Sequence, residues 1–368
     1  MRRAKAVQLI AGLVLVALVG AACSSKSNTG TTNTTSFKGV ALNGAGATFP
    51  APVYDALFKT FQSSVESGAA INYQAVGSGA GITQITAKTV DFGASDAPLK
   101  DAEQSAAPGL LEIPTVLGAV VLAYNVPGVP TGLKLTPEAI SGIFLNKIKF
   151  WDDAAIKADN AGVSLPHKEI VTVHRKDSSG TTFVFTSYLT KVSTDWANNA
   201  KLGAAKSVTW PSGLQGDGNA GVAQKIASVQ DSIGYVELAY ALSNSITFAS
   251  VKSPSGDFVA PSIESVSSAG AGLTFPIGPH TNVLQSTAAG AYPISTTTYL
   301  LVYKDQTDKD KAQTIVDLIY WLEHKGADVV KSKNYAPLPS SALGPIDALL
   351  AEINVNGTAV TPSAAVKA

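Results

Sequence analysis

The feature that most constrains the fold is a repeated unit in which a short apolar run leads into a glycine-containing turn and then into helical periodicity. The apolar runs lie at 40–42, 71–76 and 170–173, and each is followed by such a turn. This alternation predicts parallel strands with helices packed on the faces of the sheet. The chain has 368 residues, of which 45% are hydrophobic and 15% charged, so it is long enough to form two hydrophobic cores. We therefore expect an α/β protein.

The turn within 173–189, which reads VHRKDSSGTTFVFTSYL, is the most informative of these units. Apolar and aromatic residues recur after it with the spacing i, i+3, i+4 and i+7, beginning at Phe185, which predicts a helix. A Ser-Ser-Gly-Thr loop that opens a helix presents unpaired backbone N–H groups and hydroxyls, and the helix dipole favours negative charge there. The sequence therefore predicts an anion-binding loop between Arg175 and the helix.

Three other strand-to-helix turns have a similar composition. In open α/β sheets, ligands bind outside the carboxyl ends of the strands, where such turns gather. One turn of this kind is more simply explained as a tight turn or a helix cap, but four in one chain favour a shared site. The polar residues of the four turns are Thr48, Ser78, Asp96 and the triplet Ser179, Gly180 and Thr181.

Arg175 and Asp177 flank the anion-binding loop. They could form an ordinary surface ion pair, which contributes little to stability. Beside a helix start that favours anions, we prefer the interpretation that Arg175 clamps an oxyanion with two N–H groups while Asp177 holds the guanidinium in place.

Asp96 is the unexpected group in an anion site, because a buried carboxylate repels an anion that brings no proton. Phosphate keeps at least one proton at neutral pH and sulfate keeps none, so a buried acceptor favours phosphate. The alternative role of Asp96 is that of a turn or helix-capping carboxylate. Asp96 therefore predicts selectivity for a protonated oxyanion, of which arsenate is a second example.

Residues 1–23 have the form of a leader. Arg2, Arg3 and Lys5 precede an apolar stretch at 6–19 that is short for a membrane span, and the segment ends in LVGAAC at Cys23. This ending resembles the lipobox of bacterial lipoproteins, although Gly20 departs from the bulkier residue usual there, and an ordinary secretion signal is the alternative. Cys23 is the only cysteine of the chain, which favours acylation at this residue. The polar stretch 24–36 then predicts a flexible tether.

Charge and motifs argue against several other classes of protein. Without residues 1–22 the chain has 24 basic and 27 acidic residues, a net charge of −3, and it contains no basic run typical of nucleic-acid binding. Its four histidines lack metal-ligand spacing, and neither a Walker A loop nor a G-x-S-x-G elbow occurs. We expect no cofactor, no metal and no catalysis.

The apolar run 113–125 suits a long buried strand or a crossover between domains.

The chain contains several long motifs. They are GAGATFPAPVY at 44–54, YQAVGSGAG at 73–81, TVDFGASDAPL at 89–99, HRKDSSGTTFVFTSYL at 174–189, WPSGLQGDGNAG at 210–221, IGYVELAYA at 233–241 and YPISTTTYLL at 292–301. These motifs resemble those of the PstS-type phosphate-binding proteins of bacterial high-affinity phosphate ABC transporters. The similarity extends from about Gly44 to Pro339, with Ala75 and Ala80 at positions that are usually glycine, and with Lys176 and Ser178 altering the outer face of the loop.

The resemblance implies a set of phosphate ligands. The backbone N–H groups of the first turn and the hydroxyls of Thr48 and Ser78 would bind phosphate, Asp96 would accept the phosphate proton, and Asp177 would pair with Arg175. The implied ligands are Thr48, Phe49, Ser78, Asp96, Arg175, Ser179, Gly180 and Thr181.

The resemblance also implies a two-lobed, type II periplasmic-binding-protein fold, in which each lobe is a mainly parallel sheet flanked by helices and the ligand lies in the cleft. One lobe would comprise 37–116 and 289–355, the other 117–288, and 356–368 would be a loose tail. Such a monomer, anchored outside the cytoplasm, would deliver phosphate to transmembrane permease and ATPase subunits by hinge closure. A surface phosphatase or phosphoesterase, and a phosphate sensor or adhesin without transport, are the alternatives.

Overall fold

The structure is a computed structural model that describes residues 39–273 and 283–367. The leader, Cys23 and the tether predicted at 24–36 lie outside the described residues. Within these two ranges, no helix combines the length and the apolar character that crossing a membrane requires.

Strands and helices alternate along most of the chain. The strands are β1 (Ala41–Gly46), β2 (Ala70–Ala75), β3 (Phe92–Ser95), β4 (Leu110–Asn125), β5 (Lys134–Leu135), β6 (Val171–Arg175), β7 (Leu214–Gly216), β8 (Ser232–Glu237), β9 (Thr247–Phe248), β10 (Ser250–Lys252), β11 (Phe258–Val259), β12 (Ser295–Tyr303), β13 (Asp305–Gln306), β14 (Ala336–Pro337), β15 (Asn354–Val355) and β16 (Thr358–Ala359). The helices are α1 (Ala51–Ser64), α2 (Ser78–Thr86), α3 (Asp101–Ala106), α4 (Pro137–Phe144), α5 (Ala154–Lys157), α6 (Gly180–Val192), α7 (Thr194–Ala197), α8 (Gly218–Ser228), α9 (Leu238–Ser243), α10 (Ile263–Gly270), α11 (Lys309–Lys325), α12 (Ala327–Ser332), α13 (Leu343–Ala351) and α14 (Ala364–Lys367), with a 3-10 turn at Ser340–Ala342.

The main sheet has the strand order β2-β1-β3-β12-β4-β8-β6-β7. Strands β2, β1 and β3 are parallel at one end, and β8, β6 and β7 are parallel at the other. Between them, β12 and β4 run antiparallel to their neighbours. The prediction of an α/β fold, in which parallel strands are flanked by helices, is confirmed.

The long apolar run predicted as a buried strand is β4, and it belongs to both halves of the sheet. Residues 110–119 pair with β12, and residues 120–125 pair with β8. Every residue from Ile113 to Tyr124 is buried. Burial on both faces explains why the run shows no polar alternation.

Helix α1 illustrates how the local sequence produces these elements. Pro50 occupies its N-cap and Pro52 its first turn, where a missing backbone N–H costs no hydrogen bond. Its apolar residues recur at helical spacing and form a buried stripe, with Leu57 and Phe61 fully inaccessible to solvent. The helix therefore packs by the face that its 3.6-residue period predicts.

The C-terminal segment differs from the loose tail expected after residue 355. Val360 and Val366 are buried, the side chain of Gln313 donates to the backbone oxygen of Thr361 at 2.9 Å, and Ser363 N donates to Asp317 Oδ1 at 2.7 Å. The expectation was wrong because two isolated valines create no periodic signal, whereas Gln313 and Asp317 of helix α11 hold the segment by hydrogen bonds.

Candidate functional site

The polar turns predicted from the sequence meet at one point of the molecule. Gly180 N, at the start of α6, donates to Ser78 Oγ at 3.0 Å, at the start of α2. Asn219 N, in the first turn of α8, donates to Thr48 Oγ1 at 3.1 Å. These contacts join residues that are 102 and 171 positions apart in the chain. Asp96 N also donates to Ser78 Oγ, at 3.3 Å, so all four turns contribute to one polar cluster.

Two glycines allow the turns to approach so closely. A Cβ on Gly180 would lie 2.5 Å from Ser78 Oγ and 2.6 Å from Asp96 Oδ2. Gly77 has a φ of +95°, and a Cβ there would lie 2.4 Å from Asp177 Oδ2. Since real Cβ atoms do not tolerate such distances, a larger residue at either position would require the side chain that faces it to move.

Arg175, at the end of β6, is the cation of this cluster, and its side chain is only 1% exposed. Its Nε donates to Asp177 Oδ1 at 2.7 Å, its Nη2 donates to Asp177 Oδ2, and its Nη1 donates to Thr181 Oγ1 at 3.3 Å. Asp177 thus occupies one edge of the guanidinium, and the Nη1–Nη2 edge is the one that can serve a ligand. Burial acts to raise the pKa of Asp177, but the hydrogen bond and charge of Arg175 outweigh it and hold that pKa below its usual range.

Asp96, which the sequence predicted as a proton acceptor, is 2% exposed. Burial raises its pKa to about 7, while the hydrogen bond from Thr298 and the charge of Arg175 oppose this rise. Thr298 Oγ1 donates to Asp96 Oδ1 at 2.8 Å, whereas Oδ2 lies next to Gly180. A carboxylate in this position can accept a proton from a ligand bound beside α6.

The remaining predicted residues take more varied positions. Ser179 caps α6 by accepting from Thr182 N at 3.0 Å, and its own backbone N–H donates to Lys206 O at 2.9 Å. Phe49 follows Thr48, but its ring packs edge-on against Tyr335 in the core, with 6.1 Å between ring centroids.

Two buried residues of the cluster were not among the predicted ligands. Asn219 donates from Nδ2 to the hydroxyls of both Thr48 and Thr181, at 2.9 and 3.0 Å, and Thr298 holds Asp96. Both lie in motifs that resemble the PstS-type proteins, WPSGLQGDGNAG and YPISTTTYLL. Polar residues within those motifs were the available signal, but only the fold shows what they contact.

A cavity of about 310 Å³ lies beside the cluster and is lined in part by Thr48, Asp177, Gly218 and Tyr240. The side chain of Tyr240 forms part of the cavity wall, and its hydroxyl donates to Thr48 O at 2.6 Å. Among residues 39–273 and 283–367, no group of three or more His, Cys, Asp or Glu side chains is placed to hold a metal ion. The groups of the cluster that could contact a ligand are backbone N–H groups, hydroxyls, the guanidinium of Arg175 and the carboxyl of Asp96.

Comparison with known proteins assigns this arrangement to a family. Residues 25–322 match the family model of the PBP superfamily domain. The chain is 40% identical over 310 residues to the phosphate-binding protein PstS of Pasteurella multocida, covering 83% of this chain and 89% of that protein. It is also 40% identical over 314 residues to PstS of Xylella fastidiosa strain Temecula1, covering 84% and 85%.

A solved structure supports the same fold. The X-ray structure of a human phosphate-binding apolipoprotein superposes with a TM-score of 0.68 at 21% identity, covering 88% of this chain and all of that one. This likeness concerns the fold, whereas the sequence relatives define the family. The chain belongs to the PstS family of phosphate-binding proteins, within the PBP superfamily, and has the two-lobed α/β fold of that family.

Proposed function

We propose that this protein binds inorganic phosphate reversibly outside the cytoplasm and delivers it to the permease and ATPase subunits of an ABC importer, without chemical change to the ligand. The observation that carries the proposal is Asp96. It is a buried carboxyl with one oxygen held by Thr298 and the other directed at the N-terminus of α6, amid groups that otherwise donate. PstS relatives of 40% identity, named as phosphate-binding proteins, support the same ligand.

The donors and the acceptor have different tasks. Thr48, Ser78 and Thr181, with the Nη1–Nη2 edge of Arg175 and the backbone N–H of Phe49, donate to the ligand's oxygens. The N–H groups of Ser179 and Gly180 would join them only by releasing the hydrogen bonds that they donate in this structure, to Lys206 O at 2.9 Å and Ser78 Oγ at 3.0 Å. Asp96 accepts a hydrogen bond from a proton that phosphate retains. Sulfate has no proton to give, so at neutral pH it would place an unprotonated oxygen against a buried carboxylate, which is repulsive.

We further propose that the cleft divides one lobe of residues 37–116 and 289–355 from a second lobe of residues 117–288. The pairing of β4 supports a crossing close to this boundary, because the strand leaves β12 and joins β8 between Ala119 and Val120, three residues beyond the proposed limit. The second crossing would then lie just before β12. Closure about these two crossings would bring Thr48, Ser78 and Asp96 onto the loop from Arg175 to Thr181.

Attachment to the membrane is proposed through Cys23, with 24–36 as the tether. The support is the lipobox-like sequence and the single cysteine of the chain. We expect the wild type to incorporate radiolabelled palmitate. We expect Cys23→Ser to lose this label and to be released into the medium. Equal membrane retention of Cys23→Ser would reject the anchor.

The function is tested by calorimetric titration of the purified protein with phosphate, arsenate and sulfate at low salt. We expect tight binding of phosphate, measurable binding of arsenate and weak or no binding of sulfate. Folded protein that gives no binding signal with phosphate would refute the proposal. A chromogenic phosphomonoester assay tests the phosphatase alternative, and phosphate uptake in a deletion strain separates import from a sensor or adhesin role.

A further inference from the structure

We propose that Asn219 is a positioning residue that fixes the hydroxyl protons of Thr48 and Thr181 so that both point at the ligand. The inference deepens the proposed phosphate binding and rests on it. Asn219 is completely buried, in the first turn of α8, and touches hydroxyls that come from opposite sides of the polar cluster.

The orientation of the Asn219 amide follows from one of its neighbours. Glu237 N donates to Asn219 Oδ1 at 2.9 Å. A backbone N–H can only donate, so the oxygen of the amide must face Glu237 and the nitrogen must face the opposite way. Nδ2 therefore has to donate to Thr48 Oγ1 and Thr181 Oγ1, at 2.9 and 3.0 Å.

Each hydroxyl then receives two N–H groups and has no lone pair left to accept from a ligand. Thr48 Oγ1 accepts from both the backbone N–H and the side chain of Asn219, at 3.1 and 2.9 Å. Thr181 Oγ1 accepts from Arg175 Nη1 at 3.3 Å and from Asn219 Nδ2. A hydroxyl in this state can only donate to a further partner, because its oxygen offers two acceptor sites.

The consequence is a restriction on the protons of the ligand. At Thr48 and Thr181 the ligand must present bare oxygens, and Asp96 remains the acceptor for a proton. Asn219 thereby helps to select an oxyanion whose proton lies on the oxygen that faces Asp96. The oxygens that face the two threonine hydroxyls must be unprotonated.

The test is a double-mutant cycle read by phosphate calorimetry on wild type, Asn219→Asp, Thr48→Val and the double variant. A carboxylate at residue 219 accepts from the hydroxyls instead of donating to them, so we expect Asn219→Asp to lower phosphate affinity at least about 100-fold. Thr48→Val should cost about tenfold or more in the wild type but little in the variant that already carries Asn219→Asp. Additive losses, or an unchanged affinity in Asn219→Asp, would overturn the inference.

Two controls separate this role from simple support of the fold. Asn125→Asp makes the same chemical change at the other end of α8, where Nδ2 donates to the backbone oxygens of Ile226 and Ala227, both at 3.0 Å, and it should leave phosphate affinity unchanged. If Asn219→Asp fails to fold, Asn219→Ala with Thr48→Val gives the same cycle, and additivity there overturns the inference. If the folded wild type does not bind phosphate at all, the proposed function is refuted, and this inference with it.

Discussion

Thr298 Oγ1 donates to Asp96 Oδ1 at 2.8 Å, across two antiparallel strands that place Tyr299 opposite Ser95. This contact occupies one oxygen of the carboxyl and leaves the other beside Gly180. It also opposes the rise in pKa that burial imposes on Asp96. The acceptor of the proposed phosphate site is therefore controlled by a residue 202 positions away in the chain.

Removing this hydroxyl should shift the pH dependence of binding. In Thr298→Val, the pKa of Asp96 should rise further above about 7, because a hydrogen bond to its charged form is lost. Less of the carboxyl is then ionised at neutral pH, so phosphate affinity should fall several-fold at pH 7 and recover as the pH is raised. Calorimetry at several pH values measures this. Thr297→Val is the matched control, since Thr297 Oγ1 donates to Val116 O, and a shift of the same size there would contradict the assignment.

Asp96→Asn should narrow the gap in affinity between phosphate and sulfate. The hydroxyl of Thr298 donates, so the amide oxygen should stay beside Thr298 and the amide nitrogen should replace Oδ2. That nitrogen donates to either anion and no longer requires a proton from the ligand. We expect phosphate affinity to fall at least about tenfold and the phosphate-to-sulfate ratio to fall with it. Competition titrations decide the matter, and an unchanged ratio would remove Asp96 from this role.

Gly180→Ala should weaken phosphate binding by steric displacement. The new methyl group would lie 2.5 Å from Ser78 Oγ and 2.6 Å from Asp96 Oδ2, so one side of the cluster must move. We expect a loss of about tenfold or more in phosphate affinity, measured by calorimetry. Gly344→Ala in α13, where a Cβ would have no neighbour within 4 Å, serves as the control and should bind as the wild type does. Equal affinities for the two variants would show that the cluster tolerates the methyl group.

Glu66 should make stability depend on pH. Burial, with the neighbouring Asp317 carboxyl, raises the pKa of Glu66 from 4.5 to about 8. Between these values the folded protein keeps a proton that the unfolded chain has released, so the free energy of unfolding should fall as the pH rises from about 4.5 to 8.

Urea unfolding at several pH values tests this behaviour. Glu66→Gln should flatten the decline across that range, because the amide does not titrate. The exposed Glu352, changed to Gln, should leave the slope as it is in the wild type. A slope in Glu66→Gln as steep as that of the wild type would assign the effect to another group.

Local patterns predicted the elements of this fold well. The helices that begin at Ala51, Ser78 and Gly180 follow turns that proline, glycine and serine already mark in the sequence, and the run at 113–125 is a buried strand. The packing of residues 356–367 was not predictable in this way, because it depends on the surface of α11 and not on a repeat within the segment. Asn219 and Thr298 escaped prediction for a similar reason, since each contacts a residue far away in the chain, at separations of 171 and 202 positions.

The sequence by itself determined which chemical groups stand at the strand-to-helix turns, because strand period, helix period and turn residues are local properties of the chain. It therefore predicted an α/β protein with hydroxyls, N–H groups, Arg175 and Asp96 as the material of an anion site. Only the tertiary structure decided how those groups are paired: which oxygen of Asp96 contacts Thr298, which edge of Arg175 contacts Asp177, and which N–H groups donate to the hydroxyls of Thr48 and Thr181. Those decisions depend on sheet register and on close backbone contacts between distant segments, which no local pattern encodes.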